Sequence, residues 1–324
     1  MKFLTARELF KSKPEPVQWV CKPWLASEAI TVLDGAPKSA GKTTFALAMC
    51  KAILTGGEFL GHPCARGKIL YLTEESRTSF RAALARAGIE ESVDFHILFW
   101  RETHALRDGE TSAWPQVVEE AVQYAKTHGV TVLVVDTFAQ FAGLTGDKEN
   151  SAGEVLMAMR PLQKARDQDL AVLVNRHDRK GGGSVGESGR GSSALSGAVD
   201  IILQLKSPEG RHADTHRKID ALSRFDETPL QITINLTKEG YQVLGESGAV
   251  AVPAAMRQVL VCLPTDSTAA VSMEQLCETT QIPRTTLQAA LSQLQEDRTI
   301  MPLGKGCKGS PHRYYRNAAE TPSP

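Results

Sequence analysis

The sequence has no excess charge of either sign and no closely paired cysteines. Its 324 residues include 37 lysines and arginines and 37 aspartates and glutamates, so the formal net charge is zero. Binding of nucleic acid through an overall positive field is therefore excluded, and any such contact must come from local clusters. The 6 cysteines include no Cys-x-x-Cys pair. This spacing argues against a zinc site and against a disulfide framework.

Long apolar runs are also lacking. No run approaches the roughly 20 residues needed to span a membrane, and the first residues, MKFLTARELFKSKPEP, contain no apolar signal-peptide core. We therefore expect a reduced, cytoplasmic protein with no membrane partner. With 42% hydrophobic and 23% charged residues, the composition is typical of a soluble globular protein. The length allows one large α/β domain and a smaller one.

The segment 30–47, ITVLDGAPKSAGKTTFAL, has the strand, loop and helix order of a nucleoside-triphosphate site. Backbone N–H groups of such a loop surround phosphate oxygens at the positive end of the following helix. Lys42 is expected to reach the β- and γ-phosphates of the nucleotide, and the Thr43 hydroxyl to be a ligand of Mg²⁺. The predicted nucleotide contacts are Ala36, Pro37, Lys38, Ser39, Ala40, Gly41, Lys42, Thr43 and Thr44.

The loop departs from the usual spacing by one residue. Five residues separate Gly35 from Gly41, whereas the usual pattern has four. The register is restored if Ala36 takes the first position and Gly35 lies just outside the motif. A GKT triplet can follow a strand by chance, but the apolar helical pattern that comes next favours a nucleotide site.

Polar residues follow several predicted strands. Apolar runs of strand length occur at 68–73, 95–100, 130–136 and 170–175. In open parallel sheets, ligands bind at the carboxyl ends of the strands, and here those ends carry Glu74, Glu75, Asp136 and His177. Asp136 would bind Mg²⁺ directly or through one of its ligands, and His177 could form a hydrogen bond with the γ-phosphate. Alternatively, the glutamates cap the helix that begins near Arg77, and the histidine is ordinary polar surface.

Residues 181–191, GGGSVGESGRG, contain six glycines and are flanked by basic side chains. Ordering so many glycines is entropically costly, so we expect a mobile loop that becomes ordered on a ligand. The ligand would be a nucleic-acid strand or the phosphates of a neighbouring subunit; the alternative is a surface loop without function. A helix at 192–198 and strands at 200–205, 218–222, 230–236 and 240–244 follow. This order predicts a parallel α/β core with a β-rich end.

Taken together, these segments resemble the RecA-like ATPases, and within them the hexameric replicative helicases of the RepA type. The resemblance covers about residues 19–244. It is carried by GAPKSAGKTT (35–44), YLTEES (71–76), VLVVDTFAQF (132–141), RHDRKGGG (176–183), GRGSSAL (189–195) and ALSRFDETP (221–229). The resemblance implies a RecA-like, mostly parallel sheet flanked by helices, Mg²⁺-dependent ATP hydrolysis, and a homo-oligomer in the form of a hexameric ring or a filament.

The resemblance also implies roles for single residues. Glu75 matches the catalytic glutamate that polarises the attacking water, with Glu74 as the alternative. Asp136 is similar to the Mg²⁺-associated aspartate of the family. His177 resembles its γ-phosphate sensor at the end of the fourth core strand.

A further role implied by the resemblance concerns an arginine after the predicted strand 218–222. Arg224 resembles an arginine finger that one subunit gives to the nucleotide of the next, and Arg190 and Lys180 are its alternatives. Such fingers contribute about 10³-fold or more to the rate, so hydrolysis would depend on assembly.

The domain boundaries follow from composition. Residues 1–29 are expected to form an N-terminal arm, which either docks on its own core or exchanges between subunits. Residues 30–245 form the ATPase core, and the small-residue segment 246–253 is a predicted linker. Residues 254–317 form a second domain, and 318–324 are a frayed tail.

The second domain has the outline of a winged helix-turn-helix. Helices are predicted at 254–263, at 272–280 and from residue 282, followed by a basic hairpin within 298–316. In that fold the third helix enters the major groove of DNA, and basic side chains contact the DNA backbone. Many winged helices bind proteins instead. With two residues that flank the glycine-rich loop, the predicted DNA contacts are Lys180, Arg190, Arg284, Thr285, Lys305, Lys308 and Arg313.

These features predict an oligomeric, ATP-dependent DNA helicase or translocase that acts on single-stranded DNA and also binds duplex. Two alternatives remain at this point. One is a DNA-binding regulator that uses ATP as an assembly switch, and the other is a recombination mediator that forms filaments on single strands. A small-molecule kinase is disfavoured, because the sequence has no recognisable acceptor site.

Overall fold

The computed structural model describes residues 3–9, 16–37, 40–106, 113–177, 185, 194–207, 215–238, 240–246, 251–280, 282, 284–304 and 312–317. The chain divides into two compact units, Met1–Thr228 with Ile234–Val243 and Pro229–Thr233 with Leu244–Pro324. Within the described ranges, every helix is too short or too polar to cross a membrane.

Up to residue 246, the described chain contains both α-helices and strands, and its last four elements are strands. The helices are α1 (Ala6–Leu9), α2 (Lys42–Thr55), α3 (Arg77–Ala87), α4 (Trp114–His128), α5 (Phe138–Ala142), α6 (Ala152–Arg166) and α7 (Ala194–Ala198). The strands are β1 (Trp19–Cys21), β2 (Leu25–Ala26), β3 (Ile30–Gly35), β4 (Glu58–Phe59), β5 (His62–Pro63), β6 (Lys68–Thr73), β7 (Phe95–Phe99), β8 (Val130–Asp136), β9 (Ala171–His177), β10 (Ile201–Lys206), β11 (His216–Ser223), β12 (Gln231–Leu236) and β13 (Tyr241–Glu246).

Nine of these strands form one sheet in the order β13-β12-β11-β10-β3-β9-β8-β6-β7. The run from β10 to β7 is parallel throughout, whereas β11 pairs antiparallel with β10. In the parallel part, Gly35 lies opposite His177, and Thr73 lies opposite Asp136. Because parallel strands end at the same edge, the polar residues singled out in the sequence lie along one line.

The sheet is covered on both faces because its central strands are apolar at nearly every position. Val32, Val135 and Val174 are completely buried, and they belong to the same core as Trp114 of α4 and Leu162 of α6. Burial of each such side chain contributes roughly 1.5–3 kcal/mol. The predicted mostly parallel α/β sheet flanked by helices is therefore confirmed.

A buried ion pair joins the two strands at the centre of the sheet. Asp34 of β3 and Arg176 of β9 face each other in register. The Nε–Oδ1 and Nη2–Oδ2 distances are 2.7 Å and 2.6 Å, and the side chains are 0% and 3% exposed. Since these residues directly precede Gly35 and His177, the pair fixes the ends of β3 and β9 against each other.

In its described residues, the smaller unit has three α-helices and a three-stranded sheet. Its elements are α8 (Ala251–Cys262), β14 (Val271–Ser272), α9 (Met273–Thr280), α10 (Arg284–Glu296), β15 (Ile300–Leu303) and β16 (Arg313–Arg316). The strands pair antiparallel in the order β14-β16-β15. Val259, Leu287 and Leu291 lie at the centre of a separate apolar core.

The first helix of the smaller unit begins earlier than the sequence predicted. α8 begins at Ala251, inside the segment 246–253 that was expected to be a linker. Pro253 does not prevent this start, because the N–H group that proline lacks has no partner in the first turn of a helix.

Candidate active site

The loop between β3 and α2 depends on two glycines. Gly41 has a φ of 81° at the start of α2, a left-handed conformation that strains any residue with a Cβ atom. Gly35 is constrained by packing, since a Cβ there would lie 2.8 Å from the Ala40 Cβ and 3.1 Å from the Leu205 carbonyl oxygen. Gly35 is the last residue of β3, so the loop itself begins at Ala36.

Lys42 forms hydrogen bonds with the backbone at the start of the loop. Its ammonium nitrogen donates to the carbonyl oxygens of Gly35 at 2.8 Å and Ala36 at 3.2 Å. The same nitrogen lies 3.2 Å from Nδ1 of His177, and the lysine is only 6% exposed. The sensor candidate His177 and the phosphate-binding candidate Lys42 are therefore in direct contact.

Asp136 lies at the carboxyl end of β8 and binds two hydroxyl groups. Its Oδ2 accepts from the Thr43 hydroxyl at 2.8 Å and from the Tyr71 hydroxyl at 2.7 Å. Burial raises the pKa of Asp136, and the hydrogen bonds from Tyr71 and Thr43 oppose this shift. Tyr71 is itself completely buried. Sequence reasoning missed it, although a tyrosine within the otherwise aliphatic end of β6 was a usable signal.

These oxygen atoms fit a bound Mg²⁺ ion only in combination with a nucleotide. Among the described residues there is no group of three or more His, Cys, Asp or Glu side chains that could hold a metal by itself. Mg²⁺ prefers oxygen ligands and commonly uses one or two protein groups together with phosphates and water. Thr43 and Asp136, which share a hydrogen bond, provide such a pair.

The two glutamates after β6 have different partners. Oε2 of Glu74 accepts from the Thr137 hydroxyl at 2.8 Å, and its backbone N–H donates to the Asp136 carbonyl at 2.9 Å. Burial raises the pKa of Glu74, assisted by the negative charges of Asp136 and Glu75. Glu75 instead accepts a short hydrogen bond from the Ser79 hydroxyl in the first turn of α3. Glu74 therefore lies beside the metal-ligand candidate, and Glu75 lies at the start of a helix.

The capping role considered for these glutamates belongs to another residue. Ser76 is the N-cap of α3, and its side chain accepts from the Ser79 N–H group at 3.2 Å. The carboxylates of Glu74 and Glu75 therefore do not supply this cap.

Two residues of the antiparallel strands also reach the loop, and neither was found from the sequence. Nε of Arg217, on β11, donates to the Ala40 carbonyl at 2.9 Å. Tyr241, on β13, packs edge-on against Phe45 with ring centroids 5.5 Å apart. Its hydroxyl lies 3.9 Å from the point where a Cβ of Gly41 would stand. Burial raises the pKa of Tyr241 to about 12, and the charge of Arg217 opposes this rise.

A cavity of about 620 Å³ lies beside α2, next to the loop. This volume is within the range of small-molecule sites. Its walls come from α2, α3, β4 and the turn between β12 and β13, and they include Thr44, Ala48, Lys51, Arg86, Thr237 and Tyr241. Because Thr44 directly follows Thr43, the cavity begins where the phosphate loop ends.

Arg224 is not part of this cluster. Ser223, the last residue of β11, pairs with Ile201, which in turn pairs with Thr31 near the start of β3. Arg224 therefore lies at the amino edge of the parallel strands, about 13 Å along the strand direction from the edge that carries the loop. Its side chain is 60% exposed and donates from Nη2 to the Gly197 carbonyl at 2.9 Å.

The remaining predicted site residues lie elsewhere in the chain or outside the described residues. Of the predicted nucleotide contacts, Ala36 and Pro37 are exposed and Ala40 is buried. Arg284 forms an exposed ion pair with Glu274 at 3.4 Å, while Thr285 lies in α10 and Arg313 in β16. The predicted residues outside the described ranges are Lys38, Ser39, Lys180, Arg190, Lys305 and Lys308.

The spatial relation of Lys42, Thr43 and Asp136 is typical of proteins that bind nucleoside triphosphates through a phosphate loop. The loop follows β3, the fifth of the nine strands in the sheet, and the aspartate ends β8, two positions away. This arrangement defines the class to which the larger unit belongs.

Comparisons with known proteins give the family. The model of the AAA domain family matches residues 1–183, more than half of the 324 residues, so the chain belongs to that family. A KaiC-like protein from the hyperthermophilic archaeon Pyrococcus horikoshii has a similar fold, with a TM-score of 0.50 at 15% identity. The match covers 71% of this chain and 100% of that protein. None of the curated proteins compared with the chain matches it.

The family and the fold confirm the coarser part of the sequence prediction. The chain is a RecA-like phosphate-loop ATPase by family and fold. The assignment to RepA-type helicases stays a prediction, as do the winged helix, the DNA contacts and the roles of the single site residues.

Proposed function

We propose that this protein is an oligomeric, Mg²⁺-dependent ATPase that acts on DNA as a RepA-type helicase or translocase. The observation that best supports hydrolysis is the 2.8 Å hydrogen bond between Thr43 and Asp136. It brings the two metal-ligand candidates together beside Lys42, which is itself in contact with His177. Phosphate binding, metal binding and sensing of the γ-phosphate therefore fall within one group of side chains.

ATP binding would exchange the present partners of Lys42. The lysine would leave the carbonyl oxygens of Gly35 and Ala36 and donate to phosphate oxygens, which are stronger, charge-assisted acceptors. The first N–H groups of α2 would add further donors at the positive end of that helix. Mg²⁺ held by Thr43 and Asp136 would neutralise charge on the β- and γ-phosphates.

The cavity beside α2 suits the base and the ribose of the nucleotide. It begins at Thr44, directly after the residues that would hold the phosphates, and Tyr241 supplies an aromatic ring in its wall. Aromatic rings stack on nucleobases because both present π-faces. The cavity thus supports a whole nucleotide as ligand, beyond a phosphate ion.

The base that orients the attacking water is proposed to be Glu75, as the family resemblance implies. In this structure Ser79 holds the Glu75 carboxylate, so that hydrogen bond would have to be released in the reaction. Glu74 is the alternative, because it lies beside Asp136. Replacement of each by glutamine separates them: the variant that loses turnover by at least about 10²-fold while still binding nucleotide identifies the base.

The position of Arg224 supports action on a neighbouring subunit. Exposed at the amino edge of the sheet, it cannot reach the loop of its own chain. In a head-to-tail assembly, opposite surfaces of successive subunits meet, so an exposed arginine at one edge can complete the site of the next subunit. Arg190 and Lys180 remain alternatives for this finger.

The smaller unit is proposed to bind DNA as a winged helix-turn-helix. Three helices interleaved with an antiparallel sheet in the order β14-β16-β15 are consistent with that fold. α10 would enter the major groove and β16 would contribute Arg313. The ion pair of Arg284 with Glu274 is exposed and therefore weak, so Arg284 can exchange this partner for a phosphate or a base.

A DNA-binding regulator switched by ATP is the second candidate. It is favoured by the composition of α10, RTTLQAALSQLQE, which carries one arginine and one glutamate and is otherwise uncharged. A helix with so little charge attracts the DNA phosphates only weakly. Its polar side chains can instead form hydrogen bonds with the edges of the bases.

Nucleic-acid stimulation distinguishes the candidates. ATP turnover by the full chain would be measured with no DNA, with single-stranded DNA and with duplex, together with displacement of a labelled strand. The motor predicts stimulation by single-stranded DNA, displacement of the strand, and loss of both in the Lys42→Ala variant. Turnover that ignores every nucleic acid would contradict the motor, and ATP-dependent duplex binding without displacement would favour the regulator.

A further inference from the structure

Two buried cysteines face each other where β1 meets the segment that follows β5. Cys21 and Cys64 are opposite partners in an isolated antiparallel bridge. They are 0% and 6% exposed, their Sγ atoms are 2.9 Å apart, and both are free thiols. No part of the ATPase site uses either residue.

The backbone around the two cysteines has the geometry that a disulfide requires. Backbone hydrogen bonds flank the pair on both sides, from Lys22 to Pro63 at 3.4 Å and from Ala65 to Val20 at 2.8 Å. The cysteines are thus a non-hydrogen-bonded antiparallel pair, in which Cα atoms are about 4.5 Å apart and side chains are closest. Disulfides form at Cα separations of about 4.4–6.8 Å. Rotation about the Cα–Cβ bonds can bring the sulfur atoms to bonding distance.

We propose that Cys21 and Cys64 are an oxidation site that forms an intramolecular disulfide with a small-molecule disulfide as oxidant. The Cys64 thiolate attacks one sulfur of the oxidant and expels a thiolate, forming a mixed disulfide. The Cys21 thiolate then attacks the Cys64 sulfur and expels the second thiolate. The two cysteines lose two protons and two electrons, and the oxidant is reduced to two thiols.

The order of attack follows from the environment of each thiol. The hydrogen bond with Cys21 lowers the pKa of Cys64, whereas burial raises the pKa of Cys21. Cys64 is also the more exposed of the two, so it meets the oxidant first. The nearby Cys50, inside α2, is only 1% exposed, and its burial raises its pKa, so we expect it to react more slowly than Cys64.

The disulfide would close a covalent loop that contains the phosphate loop. The two cysteines are 43 positions apart, and β3, the phosphate loop and α2 lie between them. A cross-link of this kind restricts the unfolded chain more than the folded one. Oxidation is therefore expected to stabilise the segment that carries the phosphate loop.

Peptide mapping of the oxidised protein tests the assignment directly. Trypsin places Cys21, Cys50 and Cys64 in three separate peptides, residues 12–38, 43–51 and 52–66. The full chain would be treated with hydroxyethyl disulfide under native conditions, alkylated, digested and analysed by mass spectrometry. The expected product is peptide 12–38 joined to 52–66, separated again by dithiothreitol. Absence of this product, or a link to 43–51 in its place, would overturn the proposal.

Thermal unfolding provides a second measurement. Oxidation should raise the midpoint of the wild-type protein by about 5 °C. Cys21→Ala should abolish the rise, whereas Cys277→Ala, in the smaller unit, should retain it as the matched control. An equal rise of the midpoint in Cys21→Ala would contradict the Cys21–Cys64 disulfide. If that variant does not fold, the peptide map of the wild-type protein still tests the disulfide.

Discussion

At the scale of single residues, the site depends on hydroxyl groups as much as on charges. Asp136 has the Thr43 and Tyr71 hydroxyls on one oxygen, Oδ2. Tyr71 contacts the metal-ligand candidate Asp136 through this hydrogen bond, and we expect it to position that aspartate.

Removal of the Tyr71 hydroxyl tests this positioning role. Tyr71→Phe should fold and bind nucleotide, but the Mg²⁺ concentration needed for half-maximal turnover should rise about two- to tenfold, because one hydrogen bond contributes about 0.5–1.5 kcal/mol. Tyr124→Phe is the control, since the Tyr124 hydroxyl also makes a side-chain hydrogen bond, to His96 at 3.0 Å. An unchanged Mg²⁺ requirement in Tyr71→Phe would refute the role.

The buried carboxylate of Asp136 should also cost stability at neutral pH. Its pKa is raised in the folded chain by burial, so the folded state binds a proton more tightly than the unfolded state. Stability is then lost as the pH rises from the usual value of 3.8 through the folded pKa. Asp136→Asn removes this cost while keeping an oxygen that can accept from both hydroxyls.

The expected result is a higher unfolding midpoint for Asp136→Asn than for wild type at neutral pH, with a difference that shrinks toward acid pH. Thermal unfolding of both proteins across pH 3–8 without nucleotide measures this difference. A constant difference at every pH would show that the carboxylate is not responsible. The same variant is also expected to lose activity, because it removes the metal-ligand candidate.

At the scale of secondary-structure elements, the antiparallel strands add a second wall to the phosphate loop. β11 brings Arg217 to the Ala40 carbonyl, and β13 brings Tyr241 beside Phe45 in the first turn of α2. The predicted strands at 218–222 and 240–244 were close to the observed β11 and β13. The sheet order, which the sequence pattern did not provide, is what brings these strands to the loop.

The anchoring role of β11 can be tested on neighbouring residues. Arg217→Ala should weaken nucleotide binding about tenfold, because the loss of a charged hydrogen bond, worth about 1.5–3 kcal/mol, frees the Ala40 carbonyl. Lys218→Ala is the matched control on the same strand, where the lysine pairs with Asp220 at 3.4 Å and is 41% exposed. Titration with a fluorescent nucleotide measures both, and equal affinities in the two variants would contradict the role.

At the scale of the whole molecule, the proposed chemistry requires more than one chain. The larger unit carries the loop at one edge of its sheet and the candidate finger Arg224 at the other. A single subunit therefore cannot bring Arg224 to its own nucleotide.

Mixing two inactive variants tests completion of the site by a neighbour. Arg224→Ala should lose hydrolysis by about 10³-fold while binding nucleotide normally. Mixed with Glu75→Ala, it should recover part of the activity, because some sites then combine an intact glutamate with an intact finger from the next subunit. No recovery at any mixing ratio would contradict the assignment of Arg224 as the finger. The mixing control is Arg224→Ala with the double variant Arg224→Ala/Glu75→Ala, in which no site can receive an intact Arg224.

The sequence by itself determined the strand, loop and helix order at 30–47 and the polar residues at the strand ends. These features are local. Apolar runs indicate the strands, Gly41 indicates the end of the loop, and Lys42 and Thr43 directly follow it in the chain. Because parallel strands end at a common edge, the meeting of Asp136 and His177 with the loop also followed once the strands were recognised. The parallel α/β fold was predictable for the same reason.

Only the tertiary structure decided which distant residues contact the site. Tyr71, Arg217 and Tyr241 reach it through register and strand order, which periodicity along the chain does not encode. The same applies to Cys21 and Cys64, whose scattered spacing in the sequence gave no sign of a pair. Contacts between residues far apart in the chain depend on how elements pack. This packing gave the neighbouring Glu74 and Glu75 different partners and placed Arg224 away from the loop.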